Sequence, residues 1–238
     1  MDLSYGPQYR ELQQEVRAFV KANAMVAVDE PYDDRLEWDR DGQYFHYLTK
    51  WMHALDQVTR TTGQFRYNVW GRELAIAAHR AFAVAPRPGA RKRMTWKMSI
   101  DLTRPLIASM GQHDPLDGLV TTLQLDATLH AKRPTLAEIA ADYAAMLDPA
   151  GLSTSDPLGI GGLLVDAYRV HQLTRAGAVS SKDRLLDALL AAAVAGLDSY
   201  LEQPDLRAPA TRRLAFRELG LAIGLDAVVR LAADADGL

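Results

Sequence analysis

Two short segments with the same residues, Asp-Pro-Leu, mark the starts of two helices and restrict the fold more than any other feature of the sequence. They occupy residues 114–116 and 156–158, and a glycine follows in the first turn of each. Proline suits a first helical turn because the amide hydrogen that it lacks would have no intrahelical acceptor there, and aspartate is a common N-cap. One further helix is predicted between them, so every second helix would point the same way, as in stacked helical hairpins.

Apolar residues recur at three- and four-residue spacing along most of the chain, which predicts amphipathic helices. Eight are expected, at about 7–23, 41–62, 66–84, 114–130, 134–147, 157–175, 182–201 and 210–232. Gly63 is a C-terminal stop for the second of them. The acidic, aromatic stretch 29–41 is predicted to be an ordered loop, and residues 94–102 alternate as an extended segment does. The sequence therefore predicts an all-α protein.

Length and composition favour one soluble domain. The 238 residues are 48% hydrophobic, and no linker-like stretch divides them, so a single helical domain over residues 1–238 is expected. The net charge is -3 with both signs interspersed, which argues against nucleic-acid binding. The absence of cysteine fits a cytoplasmic protein, and no apolar run is long enough to cross a membrane.

The first group of candidate residues starts the second predicted helix. Asp41 would begin this helix, so His46, Lys50 and His53 follow at helical spacing and share one face. Polar and aromatic residues on one face are typical of a ligand pocket, although a solvated basic stripe capped by acids gives the same pattern. An isolated histidine does not predict a metal site, because zinc needs three or four ligands.

The second group lies in the irregular stretch 94–118, where long, polar connections are usually functional. Asp101 could pair with Asp114 or Asp117, as acid–base chemistry on carbohydrates requires. Asp114 has an equally simple interpretation as a helix N-cap. Trp96 could stack on a flat ligand or fill space in the core. The same stretch also supplies Lys97, Arg104, Gln112 and His113.

A third group, Arg213, Arg217 and Glu218, has the spacing of an ordinary surface ion-pair set. The sequence contains no dinucleotide fingerprint, P-loop or nucleophile elbow, so neither a nucleotide fold nor a serine hydrolase is indicated. We therefore expect no cofactor and no metal.

Four blocks resemble a group of uncharacterised bacterial proteins in the six-hairpin glycosidase-like superfamily. The blocks lie at 39–55, 96–119, 156–170 and 214–225. The resemblance implies an (α/α)6 toroid of helical hairpins over about residues 39–238. It also implies a funnel at one end, where carboxylates and aromatic residues act on carbohydrates by hydrolysis or, in some members, by epimerisation.

On this interpretation the protein is a carbohydrate-active enzyme of the glycoside hydrolase or sugar epimerase type. Asp101 is the first candidate for the general acid or base, with His46 or His113 assisting and Asp41 nearby. The expected substrate-binding residues are Trp96, Lys50, Lys97, Arg104, Gln112, Asp114 and Asp117. None of these positions matches an established catalytic motif of the superfamily.

The chain departs from that pattern in two ways. Twelve helices need roughly 300 residues or more, at about 15–20 residues per helix plus loops, so an incomplete ring is expected. Its uncovered apolar faces predict a homodimer. Residues 1–23 also resemble the first helix of acyl-CoA dehydrogenases, although no flavin or acyl-CoA machinery follows. The alternative to an enzyme is a helical scaffold, or a truncated toroid, that binds a partner through its open edge.

Overall fold

The structure, a computed structural model, describes residues 42–87, 89–107, 109–129, 136–180, 184–202 and 208–236. The predicted helix 7–23, the acidic loop 29–41 and the candidate Asp41 lie outside the described residues. Residues 43–238 form one compact unit. A single domain over the whole chain stays a prediction.

Helices dominate the part of the chain that the structure describes. They are α1 (Phe45–Thr62), α2 (Arg66–Phe82), α3 (Asp114–Thr128), α4 (Ala137–Met146), α5 (Pro157–Arg175), α6 (Leu185–Leu201) and α7 (Ala215–Asp236). Two antiparallel pairs of two-residue strands join β1 (Gln43–Tyr44) to β4 (Lys97–Met98) and β2 (Ala83–Val84) to β3 (Arg93–Met94). The all-α class is confirmed. The extended segment predicted at 94–102 is only partly extended, because it contains the end of β3 and all of β4, whereas residues 100–102 form a turn.

Helix α1 ends where predicted and starts later than predicted. Gly63 has a φ of 70°, and its N–H donates to the Thr59 carbonyl at 2.8 Å, so the glycine closes the helix in a left-handed conformation. The predicted start at Asp41 is wrong. The helix begins at Phe45, because Gln43 and Tyr44 pair with β4 as a strand.

The two Asp-Pro segments start helices in different ways. Asp156 is the N-cap of α5, and its side chain accepts the N–H of Leu158. At α3 the N-cap is His113, and Asp114 is the first helical residue with its carboxyl buried. The N-cap interpretation of Asp114 is therefore wrong, and its carboxylate has another environment.

The odd-numbered helices run parallel to one another. Where two of them are in contact, residues later in one helix contact residues later in the other. Along α1 and α3, His53 contacts Gln124 and Arg60 contacts Thr128. Along α3 and α5, Asp117 contacts Asp166 and Gln124 contacts Arg169. Along α5 and α7, Gly161 lies on Gly220 and Arg175 pairs with Asp234. Every second helix therefore points the same way, as the repeated Asp-Pro-Leu segments predict.

Each even-numbered helix packs on the odd helix before it. Contacts join α1 to α2, α3 to α4 and α5 to α6, which makes three helical hairpins. The buried apolar side chains form two hydrophobic cores, and helix α3 lies between them and contributes to each. Leu119 and Leu125 belong to one core, and Leu116 and Val120 belong to the other. This central position brings polar residues of α3 against both α1 and α5.

Helix α7 is the last of the parallel set, and it exposes apolar side chains. Phe216, Leu219 and Ile223 follow at helical spacing and are each more than half exposed. Within the described ranges, no helix combines the length and the apolarity that crossing a lipid bilayer requires.

Candidate active site

Two aspartates from neighbouring parallel helices, one buried and one partly buried, form a carboxyl pair. Asp166 of α5 is 2% exposed, and its carboxyl shares a hydrogen bond with Asp117 in the first turn of α3. Burial raises the pKa of Asp166 to about 7, the charge on Asp117 adds to this rise, and Arg169 opposes it. Because two adjacent carboxylates resist ionising together, the pair holds one proton close to neutral pH.

Arg169 is the fixed cation beside this pair. Its Nη1 donates to Asp166 Oδ1 at 2.7 Å, and its Nη2 donates to Thr121 Oγ1 at 2.9 Å. The Oε1 atom of Gln124 accepts from Nε at 2.9 Å and from Nη2 at 2.6 Å. These bonds use four of the five guanidinium N–H donors. The guanidinium therefore has one fixed orientation, one turn after Asp166.

His53 of α1 reaches the same amide. Its Nδ1 lies 3.1 Å from Gln124 Oε1, and since an amide oxygen only accepts, Nδ1 carries the hydrogen and Nε2 is the basic nitrogen. Burial lowers the pKa of His53, and the nearby Arg169 lowers it further. His53 is therefore a neutral imidazole at neutral pH and can act as a base.

Lys50 links the carboxyl pair to solvent. Its Nζ lies 3.5 Å from Asp117 Oδ1, and its side chain is 61% exposed, whereas that of Asp117 is 16% exposed. His46 lies one turn earlier, half-buried, and its pKa is lowered by burial against the opposing charge of Asp117. The structure thus brings together His46, Lys50 and Asp117, three of the residues that the sequence predicts.

A pocket of about 250 Å³ opens beside this cluster. Its polar wall is formed by Lys50, His53 and Arg169. Its apolar wall and its glycine surface are formed by Leu158, Val165, Ile223, Gly161, Gly162 and Gly220. Helices α1, α5 and α7 therefore line one concave surface, and α3 holds Asp117 and Gln124 behind it.

A larger cavity of about 420 Å³ lies toward the C-terminal ends of α1, α3 and α5, lined by Thr59, Gln124 and Gln172 among others. Of the described residues that line it, Arg60 is the charged one. Because it combines no acid with a base, this cavity does not offer acid–base chemistry.

Asp114 is a second carboxyl with a raised pKa. It is 7% exposed, and burial raises its pKa to about 7, with a further contribution from the charge on Asp117. The N–H of Gly111 stabilises the ionised form in part. Asp114 lies close to Tyr143 of α4, on whose pKa it acts. Asp114 is not among the described residues that line the pocket.

Asp101, the first candidate for the general acid or base, does not lie in a buried carboxyl cluster. This side chain lies in an exposed turn, where its Oδ1 accepts from Ser99 Oγ at 2.6 Å and from the Thr103 N–H at 3.1 Å. The hydrogen bond from Ser99 is the main reason that the pKa of Asp101 lies below its usual value. Asp101 therefore stabilises a turn as an ionised acceptor, and it lacks the burial that raises the pKa of an acid–base carboxyl.

Other predicted residues join loops to one another. His113 Nε2 lies 2.7 Å from the Leu152 carbonyl, and Gln112 Nε2 donates to the carbonyls of Gly151 and Ser153 at 2.7 and 2.8 Å. Both side chains fasten the start of α3 to the connection that follows α4.

Trp96, Lys97 and Arg104 lie in the segment around β4. Trp96 Nε1 donates to Ser109 Oγ at 3.1 Å, and the Lys97 ammonium lies 5.1 Å from the centre of the Tyr44 ring. The carbonyl of Arg104 accepts the Ser99 N–H at 2.8 Å. None of the three is among the described residues that line the pocket.

Three residues of the site, Asp166, Arg169 and Gln124, are not among those predicted from the sequence. A signal for two of them exists, because Asp166 and Arg169 fall on the same face of α5 as the buried Leu163 and Val170. Charged residues at i and i+3 within an apolar face indicate a buried polar network, since a lone buried charge is costly. No such signal identifies Gln124.

Among the described residues, no three histidine, aspartate or glutamate side chains are arranged to hold a metal ion. Comparison of the chain with protein-family models, with curated proteins and with solved structures found no match. The fold and the site therefore define an all-α protein of parallel helical hairpins, with a carboxyl pair and a neutral histidine beside one pocket.

Proposed function

We propose that this chain is an enzyme that moves protons on a small carbohydrate, an acid–base catalyst of the sugar epimerase type. The observation that carries the proposal is the pairing of a protonated carboxyl with a neutral imidazole at one pocket. Burial raises the pKa of Asp166 to about 7, so its carboxyl is about half protonated at pH 7, and the pKa of His53 is lowered, so its imidazole is neutral there. Titratable groups with displaced pKa values are typical of acid–base sites.

Asp117 and His53 are the two groups that we assign to proton transfer. His53 lines the pocket and offers its Nε2 as the base. Asp117 lies behind the pocket wall, where its Oδ1 is 3.5 Å from the ammonium of the pocket residue Lys50, and it shares the proton of the carboxyl pair with Asp166. Asp166 and Arg169 act through Asp117 as positioning residues, because they fix its orientation and keep a proton available.

The contact between Asp117 and Asp166 supports the epimerase type over the glycoside hydrolase type. Glycosidases hold their two carboxyl groups about 5 to 9.5 Å apart, so that the sugar, or the sugar and a water molecule, fits between them. Asp117 and Asp166 are in hydrogen-bond contact, which leaves no such space. A proton that Asp117 and Asp166 share can be donated to a substrate and then taken back.

The carbohydrate class comes from the resemblance to six-hairpin glycosidase-like proteins. We include an incomplete (α/α)6 toroid in the same proposal. It is supported by the parallel odd-numbered helices and by the three hairpins that α1, α3 and α5 form with α2, α4 and α6. The pocket suits a single sugar ring, because about 250 Å³ is below the roughly 300–1,000 Å³ of sites for drug-sized ligands.

Proton exchange in D₂O tests this function. Hexoses and hexuronates are incubated with the protein, and loss of the proton signal at the carbon next to the carbonyl is followed by ¹H NMR. We expect exchange with at least one sugar, and a loss of about 10²-fold or more in Asp117→Asn, as removal of a positioned acid typically causes. Asp101→Asn is the matched control and should exchange at the wild-type rate.

A non-catalytic scaffold is the second candidate, favoured by the exposed apolar residues Phe216, Leu219 and Ile223 of α7. The homodimer predicted from the sequence belongs here. Absence of exchange with every sugar, together with a dimer by light scattering, would replace the enzyme with the scaffold. Equal exchange in wild type and Asp117→Asn would contradict the assigned acid.

A further inference from the structure

We propose that the 250 Å³ pocket selects ligands that carry one carboxylate group, which Lys50 and Arg169 bind together. As a substrate preference this rests on the proposed function, and it names the substrate class as small acidic sugars such as hexuronates. As a statement about binding it needs no turnover. Binding of a carboxylate ligand and catalysis on it can therefore be tested separately.

The charge of the pocket is the first reason. The described residues that line it include two cations, Lys50 and Arg169, and no acid. Behind them, Asp117 and Asp166 together carry between one and two negative charges near pH 7, because the pKa of Asp166 is about 7. His46 and His53 are neutral, because burial lowers their pKa values. The two cations thus leave at most about one net positive charge, which matches a monoanion better than a phosphate dianion.

The fixed guanidinium is the second reason. The side chain of Arg169 is 7% exposed, and Thr121 and Gln124 hold it by hydrogen bonds at 2.6 to 2.9 Å. A cation that is already oriented and partly desolvated binds an anion with little further ordering cost. Lys50 is exposed and can swing from Asp117 toward a ligand without breaking a buried network.

The open surface at Gly162 is the third reason. A Cβ atom placed on Gly162 meets no other atom within 4 Å, and this residue lines the pocket. Its neighbour Gly161 is instead packed against the backbone of Gly220. A ligand can therefore approach the backbone of α5 at Gly162. Across the pocket, Leu158 and Ile223 supply an apolar surface for the C–H face of a sugar ring.

Binding of matched sugars tests the proposal. Isothermal titration and thermal shift are measured with D-glucuronate and D-galacturonate, with the neutral D-glucose and D-galactose, and with glucose 6-phosphate. We expect each uronate to bind at least 10-fold more tightly than its neutral partner. Lys50→Gln should remove most of that difference and leave the weak binding of the neutral sugars unchanged.

A pocket-filling variant gives a second, independent readout. Gly162→Leu places a side chain in the open space and should abolish uronate binding while circular dichroism stays that of the wild type. Ala195→Leu on the exposed side of α6 controls for the added side chain, and Arg230→Gln, an exposed arginine of α7, controls for the lost charge. Both controls should bind uronate as the wild type does.

Three results would overturn the proposal: no uronate binding at millimolar concentration, equal binding of uronates and neutral sugars, or binding that Lys50→Gln and Gly162→Leu leave intact. Tighter binding of glucose 6-phosphate than of glucuronate would overturn the carboxylate assignment. Uronate binding that depends on Lys50 but gives no proton exchange would leave this inference standing and refute the proposed function.

Discussion

Replacing Gly161 by alanine is expected to destabilise the protein, although alanine is the better helix former. A Cβ atom at Gly161 would lie 2.1 Å from the Gly220 carbonyl oxygen and 2.8 Å from the Leu221 nitrogen. Both are backbone atoms of α7 and cannot rotate away, so α5 and α7 must separate. Overpacking typically costs about 1–3 kcal/mol, and a backbone clash falls at the upper end of that range.

The adjacent Gly162→Ala is the matched control with the opposite sign. It gains helix propensity of up to about 1 kcal/mol and meets no atom within 4 Å. Urea denaturation of the two variants should therefore give a loss of free energy of unfolding for the first and a gain for the second. Equal effects at the two positions would contradict the close crossing of α5 and α7.

Replacing Arg169 by methionine is expected to cost about 3–5 kcal/mol at pH 8.5, the usual result of removing one partner of a buried ion pair. The change leaves Asp166 without its cation, and it removes the hydrogen bonds that Arg169 donates to Gln124 and Thr121. Arg230→Met, at an exposed arginine that pairs with Asp226, should change stability by less than about 1 kcal/mol.

The loss in Arg169→Met should depend on pH. In the wild type the pKa of Asp166 is raised from 3.8 to about 7, so the native state binds more protons than the unfolded state between these values. Ionisation of Asp166 therefore lowers stability as pH rises through this window. Without Arg169 the pKa rises further and the loss continues above pH 7. Urea denaturation should thus show a smaller effect at pH 5 than at pH 8.5, and equal effects would count against the ion pair.

The sequence predicts the helices well because each has a local signal. Apolar spacing identifies them, Gly63 ends α1, and Asp156 caps α5. The start of α1 could not be located, because it depends on the pairing of Gln43 and Tyr44 with a strand more than fifty residues away. Nothing near residue 43 in the sequence encodes that partner.

The candidate site was only partly predictable, because it too depends on contacts between distant parts of the chain. His46, Lys50 and Asp117 stand out as polar residues at helix starts, and they do come together. Asp101 looks equally suitable in the sequence, but Ser99 and Thr103 bind its carboxylate in an exposed turn. The spacing of Asp166 and Arg169 on the apolar face of α5 is a signal in the sequence, but the raised pKa of Asp166 arises from burial between α3 and α5, which only the tertiary structure determines.

The shared proton of Asp117 and Asp166 is the central claim, and ¹³C NMR of aspartate carboxyl groups between pH 3 and 9 tests it most directly. We predict two carboxyl groups with midpoints near 7, one lost in Asp114→Asn and the other lost in Asp166→Asn. Titration of every aspartate below pH 5, or a pattern that Asp166→Asn leaves unchanged, would contradict the account.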